Sequence, residues 1–183
     1  MTQRLMSQAV GPGDRALDGT TGNGHDTLFL AEYVGPTGKV VGFDIQNEAI
    51  QQTSARLQAA GQADQVELVQ MGHEHLGDWL NAHWPGERLA GAMFNLGYRP
   101  GGNQEIITHT DSTLAALDQT ILRLRPGGLL TVVLYTGHDG GTAEAHAVIA
   151  WARKLDPALG LVLWYQFLNR ENPPSLLALC KAG

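Results

Sequence analysis

Short apolar runs alternate with longer amphipathic stretches along nearly the whole chain, until two apolar runs follow one another at its end. Strands interleaved with helices require crossover connections, which give a parallel sheet with helices packed on its faces. Read in order, "RALD" is a strand, "HDTLFLAEYV" a helix, "KVVGFDI" a strand, and "NEAIQQTSARLQAAG" a helix capped by Asn47 and stopped by Gly61. "QVELVQM" follows as a strand, "EHLGDWLNAH" as a short helix and "LAGAMFNLG" as a strand. A helix from Ser112 to Leu124 ends at "RPGG", before the strand "LLTVVLYT" and a helix from Thr142 to Leu155. The last two strands, "GLVLWYQFL" and "SLLALCKA", are joined by "NRENPPS", where Pro173 and Pro174 cost no ladder hydrogen bond. The expectation is an α/β fold: a seven-stranded, mostly parallel sheet closed by a C-terminal antiparallel hairpin. That hairpin separates it from the dehydrogenase type of Rossmann domain.

A length of 183 residues suits one domain spanning residues 1–183, large enough to bury a core unaided. The single cysteine, Cys180, excludes an internal disulfide and a cysteine-based zinc site, and no metal is expected. No apolar run is long enough to span a membrane, and "MTQRLMSQAV" lacks the pattern of a secretory signal, so a cytoplasmic location is expected. The net charge of −6 disfavours nonspecific adhesion to nucleic acid; an RNA substrate would need a local basic patch.

In an open parallel sheet, ligands bind at the carboxyl ends of the strands, where the strand order reverses. The segment "DGTTGNGHD" lies at the first such end. Its glycines, Gly19, Gly22 and Gly24, are spaced G-x-x-G-x-G, unlike the G-x-G-x-x-G of dinucleotide sites, and no G-K-[ST] follows. A pyrophosphate there would meet the like charge of Asp18 and Asp26. S-adenosylmethionine, with a sulfonium, an ammonium and no phosphate, suits a glycine loop flanked by acids. Asp18, Thr20, Gly22, Asn23, Gly24 and Asp26 are therefore candidate cofactor residues, the alternative being a tight turn and a charged first helical turn. Asp44, ending the second strand, suits the ribose hydroxyls, with Gln46 near the sugar or adenine, although Asp44 could instead cap a helix. Gly72 and His73 after the third strand would flank adenine; a structural histidine is the alternative.

The fourth strand ends in "FNLGY", a looser version of the Asn/Asp-P-P-Tyr arrangement of methyltransferases that act on exocyclic amines. An amine attacks only with its lone pair free and aimed, so an acceptor such as Asn95 can take its N–H and set direction. A turn-forming Asn95 is the alternative. Asn95, Tyr98, Tyr135 and His138 are the candidate catalytic group, with Tyr98 or Tyr135 as a base-stacking surface and His138 as a base or substrate contact, or else a loop residue. His109 is a weaker candidate for the same rim. Arg99, Arg123, Arg125, Arg153, Lys154 and Arg170 are candidate RNA contacts, each alternatively a solvated charge.

From about Arg15 to Lys181 the chain resembles the bacterial tRNA 5-aminomethyl-2-thiouridine methyltransferases, also labelled rRNA methylases. The resemblance rests on "DGTTGNGHDTLFLA", "GFDIQNEAI", "GHEHL", "AMFNLGYRPGG", "LRPGGLLTVVLYTGHDGG" and "NRENPPSLLALCK", in that order. It implies a class I, Rossmann-like, S-adenosylmethionine-dependent methyltransferase fold. It also implies methylation of the aminomethyl group at the tRNA wobble position, an anticodon-loop partner, and a homodimer. The family pattern differs at Gly19, commonly Ala, at Thr136, where Pro stands, and in a longer N-terminal helix. Alternatives from other classes are a methyltransferase acting on rRNA or on a small amine or hydroxyl, a cofactor-binding module without activity, and a nucleotide-dependent oxidoreductase.

Overall fold

The computed structural model describes residues 1–97, 109–137 and 140–183. One seven-stranded sheet is built from β1 (Arg15–Asp18), β2 (Lys39–Asp44), β3 (Val66–Gln70), β4 (Leu89–Leu96), β5 (Leu124–Leu134), β6 (Gly160–Gln166) and β7 (Ser175–Lys181). Their order is β3-β2-β1-β4-β5-β7-β6, and β7 runs antiparallel to both of its neighbours while the other pairings are parallel. The order reverses between β1 and β4, so the crevice at their carboxyl ends is the natural ligand position.

Helices cover both faces. α4 (Leu76–His83), α5 (Thr110–Arg123) and α6 (Gly141–Lys154) pack over a core that includes Leu17, Phe43, Phe94, Leu117, Val132 and Leu179. The other face carries α1 (Thr2–Met6), α2 (His25–Val34) and α3 (Asn47–Ala59), with Met6, Val10, Leu30, Val40 and Met93 between them and the sheet. Strands covered on both sides are apolar throughout rather than alternating, as β4 is with seven of eight positions buried.

Most elements fall within a residue or two of the expectation, and the differences have local causes. Asn47 is the first helical residue of α3, not its cap; Gln46 holds that position in extended backbone, with no side-chain cap bond. Gly61 ends the helix as expected, at φ 68°, with its N–H donating to the Gln58 carbonyl at 3.1 Å. β5 starts at Leu124: the register moves from Leu89↔Leu124 to Gly91↔Leu129, so "RPGG" is an irregularity inside the strand rather than a break before it. The N-terminal segment, given no element from sequence, forms α1. Gly91 on β4 makes room for it, because a methyl group there would collide with the buried Met6 and lie 2.5 Å from Val10 Cγ2.

Candidate active site

The turn after β1 is braced before any ligand is considered. Asp18 is fully buried; Oδ1 accepts the Thr20 N–H at 3.1 Å and Oδ2 the Thr27 hydroxyl at 2.6 Å, tying β1, the loop and α2 together. Gly19 N–H donates to the Met93 carbonyl at 2.8 Å, and a methyl group on Gly19 would overlap the Phe94 ring. Gly24 precedes α2 at φ 77°, where a side chain would also lie 2.8 Å from the Thr53 hydroxyl. Asp44, at the end of β2, accepts the Gly22 N–H at 2.9 Å and the Gln46 N–H at 2.9 Å, one on each oxygen. The Thr21 hydroxyl approaches the oxygen that Gly22 uses at 3.5 Å, which leaves the other, Oδ1, with the more open second lone pair.

The loop forms one wall of a cavity of about 590 Å³. Of the expected cofactor residues, Thr20, Gly22, Asn23, Asp26, Asp44, Gln46, Gly72 and His73 line it. Asp18 and Gly24 do not: the carboxylate of Asp18 turns into the core, and Gly24 packs against Thr53 of α3. Both shape the loop, which corrects their expected role as contacts. Asn95 and Tyr135 also line the cavity; Tyr98, His138 and Arg99 lie outside the described residues. His109 joins the wall beside Ser112 of α5. Asn172 and Pro174 do so as well, brought in by the β6–β7 connection; the local cue was the "NPP" run, legible only as a connector.

At the β4 end, the Asn95 N–H donates to the Thr20 hydroxyl at 2.7 Å, and its side-chain Nδ2 donates to Asp26 Oδ2 at 2.7 Å. A carboxylate only accepts, so this bond fixes the amide: its NH2 is committed to Asp26 and its carbonyl oxygen is what it can offer a ligand. Gln3 of α1 donates to the other oxygen of Asp26 at 2.9 Å.

Asp26, Asp44 and Glu74 give the wall three acids, and no lysine or arginine lines it among the described residues. Arg56, the nearby cation on α3, donates its Nε to the Asn23 carbonyl at 2.7 Å. Arg123 donates to the Leu80 and Trp84 carbonyls, and Arg125 to Asp14 and the Ala9 carbonyl, so both candidate RNA contacts are engaged within the protein rather than being free surface charges. Burial, reinforced by repulsion from Asp26, pushes the Asp18 carboxyl up to about 7 against the opposing bonds from Thr27 and Thr20. Burial also lowers the His73 imidazole, and raises the Tyr135 phenol with help from Asp26. His73 donates from Nδ1 to the Gly19 carbonyl at 3.3 Å, leaving Nε2 a bare acceptor without a partner among the described residues. No cluster of metal-ligating side chains occurs among the described residues, nor is any helix there long and apolar enough to cross a membrane.

An acid-lined, lysine-free cavity beneath a glycine loop fits a cationic, ribose-bearing ligand better than a pyrophosphate. Comparison with known proteins agrees with that chemistry. The family model described as "Putative rRNA methylase" matches residues 40–181. A chloroplast tRNA (mnm(5)s(2)U34)-methyltransferase of Arabidopsis thaliana is 38% identical over 97% of the chain, which spans 66% of that relative's length, just under two thirds. Among solved structures, a "putative rRNA-methylase" of Clostridium thermocellum superposes with a TM-score of 0.94 at 36% identity, over 98% of this chain and 95% of that one. A "putative methyltransferase" of Streptococcus mutans, solved in complex with SAH, superposes with a TM-score of 0.88 at 32% identity, over 98% and 95%.

Proposed function

Because the chain belongs to the family described as "Putative rRNA methylase", we propose that it is a tRNA N-methyltransferase using S-adenosylmethionine. Its substrate in this reading is the primary amine of 5-aminomethyl-2-thiouridine at the wobble position, presented by the anticodon loop in the cytoplasm. The observation that carries the proposal is the pairing of an acid-lined cavity with an amide held acceptor-outward at its β4 end. The likeness to the Arabidopsis enzyme, which is named for this wobble nucleoside, supports the choice of substrate.

S-adenosylmethionine supplies an electrophilic methyl group on a sulfonium, open to in-line displacement. The chain's own part is to bind, aim and exclude water. The remaining lone pairs of Asp44 would receive the ribose hydroxyls, and Gln46, Gly72 and His73 would flank the base. Asp26 and its neighbouring acids favour positive charge on the ligand. The carbonyl oxygen of Asn95 would accept an N–H of the neutral amine, turning its lone pair toward the methyl carbon. Tyr135, its phenol raised by burial, stays protonated at neutral pH and serves as a donor or a stacking face, not as a base. Tyr98 as a stacking surface and His138 as proton acceptor complete the assignment.

A homodimer belongs to the same reading. β6 is the sheet edge, and Leu161, Leu163, Trp164, Tyr165 and Phe167 are exposed along it, a stripe that a second copy would cover. The net charge of −6 favours a second reading, methylation of a small amine or hydroxyl. Nucleoside mass spectrometry of tRNA from cells with and without the gene separates the two. Loss of the methyl group on the wobble nucleoside, with accumulation of the free amine, supports the tRNA reading; unchanged tRNA overturns it.

A further inference from the structure

We propose that α1 is a working part of the site, with Gln3 a positioning residue that acts through Asp26 to hold the Asn95 amide with its oxygen toward the substrate amine. The inference rests on the amine-methylating reading above. Its geometric basis is a short chain of bonds, Gln3 Nε2 to Asp26 Oδ1 at 2.9 Å and Asn95 Nδ2 to Asp26 Oδ2 at 2.7 Å.

An amide's oxygen and nitrogen are nearly equal in size, so packing alone scarcely distinguishes the two orientations; the hydrogen-bond partner decides. A flipped Asn95 would direct N–H groups at the amine and engage the lone pair that must attack the methyl carbon. The flip is therefore worse than a lost contact, because it occupies the nucleophile itself. Asp26 prevents it, since a carboxylate accepts and cannot donate. Asp26 is itself held at two points, one per oxygen, and Gln3 supplies the second. A neutral donor at that place orients the carboxylate without cancelling its charge, as a lysine would, and so leaves the wall acidic for a cationic ligand.

The side chain of Gln3 is exposed, but its backbone is not free to wander. Met6 and Val10 are buried against β4 where Gly91 makes room, and Arg125 ties the Ala9 carbonyl at 2.9 Å to Asp14. The N-terminal segment is thus anchored by core packing some residues beyond the contact it makes at the site.

The test compares Gln3→Leu and Asp26→Asn with the wild type in two measurements. The first follows the Asn95 side-chain NH2 resonances by NMR in protein labelled with 15N-asparagine and free of ligand. The second measures kcat and KM on tRNA bearing the free amine. Gln3→Leu is expected to broaden or shift the Asn95 signals and to lower kcat roughly three- to tenfold, the range for one modest hydrogen bond, with KM for tRNA unchanged. Asp26→Asn is expected to abolish the distinctive signals and to lower kcat by about a hundredfold or more, the scale of losing an aligned catalytic interaction. Unchanged Asn95 signals in Gln3→Leu overturn the proposal, as do altered signals with unchanged kcat. Should the wild type methylate no tRNA, the proposed function fails, while the NMR arm still reports whether Gln3 orients the amide.

Discussion

Replacing Asp18 with asparagine tests the electrostatic reading of the site at the fully buried carboxyl that braces the glycine loop behind the cavity wall. The group is fully buried and its pKa stands at about 7 against an ordinary 3.8. A carboxyl raised in the folded state binds its proton more tightly there than in the unfolded chain. Stability is therefore full below the unfolded value and falls as pH rises toward 7, then levels off. A rise of about three pH units, at about 1.4 kcal/mol each, puts the loss on the order of 4 kcal/mol between about pH 4 and pH 8. The substituted amide keeps the shape: its oxygen still accepts the Thr20 N–H, and its NH2 can donate to the Thr27 hydroxyl. The Asp18→Asn protein should thus match the wild type near pH 4 and exceed it by up to about 4 kcal/mol at about pH 8. Urea unfolding across this range measures it. Taking the difference between the two proteins removes His73, whose lowered pKa acts the other way, costing stability as pH drops below 6.5. A difference that does not grow with pH, or a variant weaker throughout by a constant amount, would refute the reasoning. Because a bound cation must lower the pKa of a nearby acid, calorimetry in buffers of different ionisation enthalpy should also show proton release on S-adenosylmethionine binding near pH 7, absent from the variant.

Three other outcomes follow from particular contacts. Asp44→Ala removes the proposed ribose acceptor together with its bonds to the Gly22 N–H of the glycine loop and the Gln46 N–H before α3, so its affinity for S-adenosylhomocysteine in calorimetry should fall at least about tenfold, with charged hydrogen bonds worth about 1.5–3 kcal/mol each. Gly19→Ala forces a methyl group onto the Phe94 ring and should cost about 1–3 kcal/mol in urea unfolding, partly relieved when combined with Phe94→Leu; additive effects would contradict the contact. In the proposed homodimer, Leu163→Glu places a charge in the exposed stripe of β6 and should shift the protein to monomer in sedimentation velocity, while leaving cofactor affinity unchanged; an unaltered sedimentation coefficient would overturn the proposed contact.

What could be read before folding was whatever local pattern determines. Strand and helix limits such as Arg15–Asp18 and His25–Val34 follow from apolar period and from glycine or proline punctuation, and they agree residue for residue. The residues after each parallel strand were legible as a cavity wall because the fold rule is general. What stayed hidden depends on distant chain. Gln3 reaches Asp26 only because α1 packs on β4, and Asn172 reaches the cavity through the hairpin between β6 and β7. Asp18 shows the limit most plainly: its type and place in the loop suggested contact with ligand, but its carboxylate faces Thr27 and the core. Arg123 and Arg125 looked like free cations because nothing in their neighbourhood announces the carbonyls and the Asp14 carboxylate that engage them.

In the proposed function a methyl group passes from a cationic donor in the acid-lined cavity to a primary amine beside Asn95. The most direct measurement incubates the purified protein with S-adenosylmethionine carrying a deuterated methyl group and tRNA bearing 5-aminomethyl-2-thiouridine, then examines the digested nucleosides by mass spectrometry. The predicted result is the deuterated methyl group on the aminomethyl nitrogen of the wobble nucleoside, with Asn95→Ala strongly impaired. Label that appears elsewhere in the RNA, or nowhere in it although the protein binds the donor, would contradict that transfer.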